Sequence, residues 1–347
     1  MCRWLNRIEK INIELKKGCY LFGAGTNGEW VLDYCNKLGI QVLGFIDTSK
    51  EKAGKLIKGI DTISYEEYLH QNEGGRGILI SAKHCSREIM QMYPDNDLMI
   101  PFDTWYIVNR KQDYEQLQFN DELSYRTMSA IQSCMMEADR SKLYPIVDRE
   151  QYFCIPPFFQ SMNETFVDLG ACTGDSIERF FFSHVGSYKH IYAFEPGETQ
   201  IKALSKRICR LAEEWAVSPD SITVQQGVVG VKTGKRYLEK NAELMNMRVA
   251  DENTGVEIDE IGLDDYFGNT DVSFIKADIE GAEYEMLLGA EQLIKRCVPK
   301  IAISVYHRPD DLIKIYNLLR SWIPEYHFAL RHHASFLVDT VLYCWVD

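Results

Sequence analysis

Residues 272–283, VSFIKADIEGAE, carry an apolar run straight into Asp278 and Glu280, and residues 300–307, KIAISVYH, end a second such run in His307. Each run reads as a strand, being short, apolar and bounded by polar residues. In an open parallel α/β sheet ligands sit beyond the C-terminal strand ends, so two carboxylates and an imidazole delivered there can hold and deprotonate a substrate. An unperturbed imidazole titrates near neutral pH, which suits His307 to the general base, with Glu280 in reserve and Asp278 orienting the substrate. The trio is also oxygen-rich enough for Mg²⁺ or Mn²⁺. Three residues joined only by an inferred sheet do not call for a metal, and none is assigned. The plainer alternatives are a core histidine bonded to a carbonyl and a helix-capping role for the acids.

Other elements must bring a ligand to that rim. Residues 165–175, TFVDLGACTGD, read as strand, glycine turn and helix, with Asp175 capping a segment in which Ile177, Phe180 and Phe181 recur at helical spacing. A turn made of Gly170, Ala171 and Gly174 lets backbone approach a ligand, and the helix start offers N–H groups and partial positive charge. Residues 190–197, HIYAFEPG, end a strand in Glu195, 27 residues after Asp168. A carboxylate there can accept both hydroxyls of a ribose. A third strand over residues 222–229 ends near Gln226, Gly227 and Val228, which can edge an adenine ring, and a hairpin is expected around Thr233 and Gly234. Residues 326–331 and 340–345 are two strands too close in sequence for a crossover helix, so they must pair antiparallel.

The N-terminal part repeats the strand, glycine turn and helix theme. Residues 19–28, CYLFGAGTNG, supply Gly23, Gly25 and Gly28, and the next strand ends in Asp47, 19 residues after Gly28. That is close to the spacing of about 20 in dinucleotide folds, where the turn cradles a pyrophosphate and the acid holds a ribose hydroxyl. A turn kept only for packing is the alternative. Strands at 78–82 and 98–100 and a helix at 86–93 complete a small Rossmann-like unit over residues 1–105. Residues 106–160 form a helical bridge with a helix from about 121 to 139. Its end, residues 150–159 (EQYFCIPPFF), has two prolines that bar a helix and rings that seal the junction, Tyr152 being the one to follow toward a substrate. Residues 161–347 form the second α/β domain.

With 347 residues, 46% of them hydrophobic and 26% charged, the chain has core enough for two domains. A formal charge of −13 excludes a long nucleic-acid footprint, so no nucleic-acid partner is expected. No stretch of about 18 apolar residues and no leader-like segment occur, so the reading is cytoplasmic with no membrane span. Ten cysteines without a CxxC pair imply neither a zinc site nor a disulfide framework. A homo-oligomer is compatible with all of this.

A parallel sheet closed by an antiparallel hairpin is the seven-strand arrangement of class I methyltransferases. EQYF, FVDLGACTGDS, IYAFEP, DVSFIKADIEGAEYEMLLGA, KIAISVYHRPDDL and TVLYCW, in that order over residues 150–347, resemble the S-adenosylmethionine-dependent methyltransferases of the FkbM type. The resemblance implies a class I α/β fold, S-adenosyl-L-methionine as cofactor, and methylation of a hydroxyl on a small-molecule, sugar or glycan acceptor, as in polysaccharide biosynthesis. It places Asp168, Gly170, Gly174 and Glu195 on cofactor positions and Asp278 and Glu280 at the reaction site. The turn departs from the commonest motif in having Cys172 where a middle glycine is usual. Residues 17–70 resemble the nucleotide-sugar-binding N-terminal domains of bacterial sugar acyltransferases and other glycan-modifying enzymes. That implies a nucleotide or nucleotide-sugar near Gly23, Gly25, Gly28 and Asp47. The rival reading is a nucleotide- or dinucleotide-binding protein, oxidoreductase-like or non-catalytic.

Overall fold

The computed structural model describes residues 2–71, 75–238 and 255–347. Its N-terminal elements are α1 (Cys2–Leu15), β1 (Cys19–Phe22), α2 (Thr26–Lys37), β2 (Val42–Ile46), β3 (Leu56–Ile57), β4 (Ile60–Ile63), α3 (Tyr65–Gln71), β5 (Gly77–Ile80), α4 (Ser86–Met92) and β6 (Met99–Pro101). β1 and β5 are buried at every position, the pattern of parallel strands covered on both faces. They lie side by side in a six-strand sheet ordered β3-β4-β2-β1-β5-β6, parallel except for β3 against β4. The N-terminal segment, expected only to lack an apolar leader, is an amphipathic helix. Its Ile8, Ile11 and Leu15 share a core with Cys19 and Leu21 of β1.

The bridge is more helical than its composition suggests. α5 (Phe102–Asn109) and α6 (Lys111–Glu115) precede α7 (Glu122–Glu137). α7 begins where Asp121 accepts a hydrogen bond from the Ser124 amide, an N-cap that satisfies one orphan donor of the first turn. The same Asp121 receives both Arg331 nitrogens at 3.1 and 3.0 Å, while Trp4 donates to the Met136 carbonyl at 3.1 Å. One helix thereby ties α1 to the C-terminal sheet.

That sheet is built from β7 (Thr165–Leu169), α8 (Asp175–Ser183), β8 (His190–Glu195), α9 (Glu198–Glu214), β9 (Ile222–Gln226), β10 (Val228–Gly230), β11 (Gly234–Leu238), β12 (Val256–Gly262), α10 (Leu263–Phe267), β13 (Phe274–Ala277), α11 (Glu283–Leu288), α12 (Glu291–Cys297), β14 (Lys300–Ser304), α13 (Asp311–Trp322), β15 (His327–His332) and β16 (Thr340–Trp345). Its order is β15-β16-β14-β13-β7-β8-β9, parallel throughout except that β16 runs antiparallel to both neighbours. The short link between the last two strands forces this, as expected. Among the described residues no helix is long and apolar enough to cross a membrane.

Two expectations are corrected. The strand over residues 222–229 breaks at Gly227, and β10 leaves the main sheet to pair with β12. Thr233 and Gly234 do not close a hairpin either, because β10 and β11 flank β12 in a separate three-strand sheet and do not pair with each other.

Alternation along the central strands decides what each face holds. Val167, Leu169, Ile275 and Ala277 enter one core, and Phe166 and Phe274 the other. Asp168 and Lys276 share the face of Phe166 and Phe274 and are register partners on neighbouring strands. They therefore meet as a buried ion pair, Nζ to Oδ1 at 2.9 Å.

Candidate active site

A cavity of about 530 Å³ opens beyond the C-terminal ends of β8 and β13, within the size range of small-molecule sites. Gly170, Cys172, Asp175, Glu195, Gly227, Val228, Asp278 and Glu280 all line it, so most of the residues expected around a cofactor and acceptor do converge. Glu195 is held by the Cys172 amide on one oxygen (2.9 Å) and the Gly197 amide on the other (2.8 Å). Burial raises its pKa while those two donors lower it, and the net direction is up. Among the described residues no cation pairs with it, so each oxygen keeps a lone pair for a ligand hydroxyl.

Cys172, standing where a middle glycine is usual, adopts the left-handed conformation a glycine would take, with φ 46°. Tyr152, Glu280 and Asp339 are left-handed too, at 71°, 56° and 56°, and all four line this cavity. Non-glycine residues in that region store strain, which collects at functional sites. Gly170 is required twice over. Its φ is 74°, and a Cβ there would lie 1.9 Å from the Asp278 carbonyl oxygen.

Three of the expected cofactor residues stand back from the cavity. Asp168 is fully buried and holds Lys276 and the Ser176 hydroxyl. Ala171 packs into the core, and Gly174 forms the N-cap of α8 against Leu204. Their part is to shape the loop. Lys276, a strand cation with no role assigned from sequence, does line the cavity, its ammonium also bonded to the Leu169 and Gly170 carbonyls at 3.1 and 2.8 Å.

Asp278 is clamped by two phenols. Tyr152 donates to Oδ2 at 2.8 Å and Tyr306 to Oδ1 at 3.3 Å. Tyr152 therefore does more than seal a junction. His307 sits behind, 94% buried, with Nδ1 3.0 Å from Glu283 and Nε2 3.6 and 3.7 Å from Asp278 and Glu280. Burial pulls its pKa down, but Glu283 first, then Asp278 and Glu280, outweigh that and push it up to about 10. This corrects the assignment of His307 as a near-neutral base, since at pH 7 it carries its proton. Glu280 has the matching shift, with burial lifting it to about 7 against the pull of His307.

Glu283 escaped the sequence reading although it lies in the quoted GAE. Its signal was an acid at the start of α11 that accepts the Ile279 amide at 2.8 Å and needs a buried partner. Ligand atoms of Asp278, Glu283 and His307 lie within 4.8 Å of one another, a set a metal ion could use. The imidazolium already supplies the positive charge that set requires.

A second cavity, of about 600 Å³, lies between the Gly23–Gly28 turn and the far side of Glu280, and its lining includes Gly25, Lys52, Lys83, His84, Tyr306 and His307. Of the three glycines only Gly25 faces open space. A Cβ on Gly28 would lie 2.1 Å from the Gly23 carbonyl oxygen, and one on Gly23 would lie 2.8 Å from the Ala82 amide nitrogen. Asp47 is spent within the protein, accepting from the Ala24 and Ser49 amides at 2.9 Å each and from Lys52 at 3.2 Å. This corrects its reading as a ribose ligand.

A mixed seven-strand sheet with an acid-lined cavity at its strand ends defines a methyltransferase-type α/β protein. Residues 168–330 match the family model described as methyltransferase FkbM domain, so the C-terminal part of the chain is similar to that domain. A crystal structure of methyltransferase FkbM from Methylobacillus flagellatus KT superposes with a TM-score of 0.60 at 21% identity, covering 98% of this chain and 93% of that one. An rRNA methylase from Streptococcus thermophilus covers 54% of this chain and 89% of its own at 14% identity, with a TM-score of 0.33. No curated protein matches the chain.

Proposed function

We propose that the chain transfers a methyl group from S-adenosyl-L-methionine to a hydroxyl oxygen of a sugar, glycan or related small molecule. The carrying observation is that Glu195 and Asp278 line one cavity. Glu195 would take the ribose hydroxyls, Val228 and Ile279 would flank the base, and Asp278 would face the reacting centre. When bound, the cofactor supplies an electrophilic methyl on a cationic sulfur. Asp278, held open by Tyr152 and Tyr306, complements that charge and orients the acceptor hydroxyl in line with the methyl carbon. Glu280 would take the proton of the acceptor hydroxyl, and the bound donor would supply the methyl group and keep the electron pair of its C–S bond on sulfur. His307 remains charged throughout and keeps Glu280 and Asp278 from repelling each other. Calorimetry of the full chain with S-adenosylhomocysteine tests this. Micromolar or tighter binding is expected, and the absence of both heat and thermal shift would remove the reading.

A further inference from the structure

Tyr152, one of the two phenols on Asp278, is buried and has a φ of 71°, a left-handed backbone that a side chain adopts only under constraint. Three contacts supply the constraint. The Tyr152 amide donates to the Tyr343 hydroxyl at 2.9 Å, its own hydroxyl accepts from the Gln151 side-chain amide at 3.0 Å, and the Lys276 ammonium stands 5.3 Å from the centre of its ring. Gln151 and Lys276 line the cavity beside Glu195, whereas Tyr343 does not. Tyr343 can therefore serve the site only through Tyr152.

Tyr343 lies in the middle of β16, with Ala302 of β14 and Ala329 of β15 as its register partners. Two alanines beside it leave room for a wholly buried ring, which packs edge-on against Phe158 at 5.0 Å between centroids. A buried hydroxyl needs partners. His333 provides one, with Nε2 3.0 Å from the Tyr343 oxygen and Nδ1 2.7 Å from the Asp148 carbonyl. Burial pushes the His333 pKa down to about 4, so at pH 7 the ring is neutral and carries a single N–H. A carbonyl only accepts, which puts that N–H on Nδ1 and leaves Nε2 as an acceptor. The Tyr343 O–H therefore donates to His333, and its oxygen accepts from the Tyr152 amide and from the Cys154 thiol at 3.6 Å. From the Asp148 carbonyl through His333 and Tyr343 to Tyr152, every donor and acceptor is assigned, and the Tyr152 hydroxyl then donates to Asp278 Oδ2.

We propose that Tyr343 and His333 are positioning residues for methyl transfer, locking the Tyr152 backbone so that its phenol holds the Asp278 carboxylate toward the cavity. Without that hold Asp278 is free to turn onto His307, whose Nε2 is already 3.6 Å from Oδ1. This rests on the methyl-transfer reading above and carries its machinery to the far side of Tyr152.

The test compares S-adenosylmethionine with S-adenosylhomocysteine by calorimetry on the full chain, because the two differ by one methyl group and its positive charge. Their affinity ratio reads how well Asp278 meets that charge. Asp278→Asn should lower the ratio and marks its full loss. Tyr343→Phe keeps the ring on Phe158 and removes the hydroxyl, and it should lower the ratio about tenfold with S-adenosylhomocysteine binding retained. His333→Ala, at a half-buried position, should lower it less, and it decides the matter if Tyr343→Phe does not fold. Tyr152→Phe should match Tyr343→Phe, and the double variant should fall no further, since both act through one phenol. A merely structural role would weaken both ligands alike or lower only the melting temperature. An unchanged ratio in Tyr343→Phe and His333→Ala, or additive losses in the double variant, would overturn the inference while the methyl-transfer reading stands. If the parent binds neither ligand, or Asp278→Asn leaves the ratio unchanged, that reading falls and takes this inference with it.

Discussion

The two glycine turns are built on one plan and end with opposite polarity. In each, an acid at the tip of the following strand accepts an amide from the turn and a second amide two residues beyond itself. Asp47 takes Ala24 and Ser49, and Glu195 takes Cys172 and Gly197. The difference is the cation. Lys52 closes on Asp47, while no basic side chain pairs with Glu195 among the described residues, and burial leaves its pKa raised. One turn is thus neutralised and backed by Lys83, and the other keeps an unpaired carboxylate among further acids. Strand, turn and acid spacing alone do not decide the ligand; what stands beside the acid does.

The sharpest break in the symmetry is catalytic. Asp278→Asn keeps the shape and removes the charge, so turnover should fall by about a thousandfold with S-adenosylhomocysteine affinity preserved, read by a methyl-transfer assay beside calorimetry. The next contrast swaps the two strand-tip acids. Glu195→Ala should weaken S-adenosylhomocysteine by about a hundredfold, the loss of two hydrogen bonds to a charged group. Asp47→Ala should leave that affinity alone and instead cost about 1–3 kcal/mol of stability by orphaning the Ala24 and Ser49 amides, measured by denaturant unfolding.

A pH series separates the halves further. Glu280 acts as a base only when ionised, and its pKa is about 7. Activity should therefore fall roughly tenfold per pH unit below that value and level off above it, and Glu280→Gln should abolish the dependence along with most of the rate. For Asp47 burial acts upward, but the Ser49 and Ala24 amides and Lys52 outweigh it and hold its pKa below the usual range. The contribution of Asp47 to stability should therefore hold unchanged through pH 7, read by denaturant unfolding across a pH series. The smallest effect concerns metal. With a protonated His307 already beside Glu283 and Asp278, chelation by EDTA should leave the methyl-transfer rate unchanged, and a loss restored by Mg²⁺ would put a cation in its place.

Sequence reached the sheet because strand-length apolar runs and a short final link leave few ways to pair them. It brought Glu195, Asp278 and Glu280 to one cavity because the parallel strand ends of such a sheet open on the same side. It could not show that Asp168 and Lys276 would fall in register on one face and spend their charges on each other. Nor could it show that Glu283 would raise His307 out of the neutral range, since that depends on a 3.0 Å contact between α11 and the segment after β14. The break at Gly227 was hidden for a similar reason, as β10 finds its partner in β12, more than two dozen residues downstream.

A crystal structure of the full chain with S-adenosylhomocysteine asks the central question directly. The account places the ribose hydroxyls on Glu195 and the sulfur facing Asp278, with Glu280 on the acceptor side. Density for the ligand on the Gly23–Gly28 turn, with the cavity beside Glu195 empty, would contradict it.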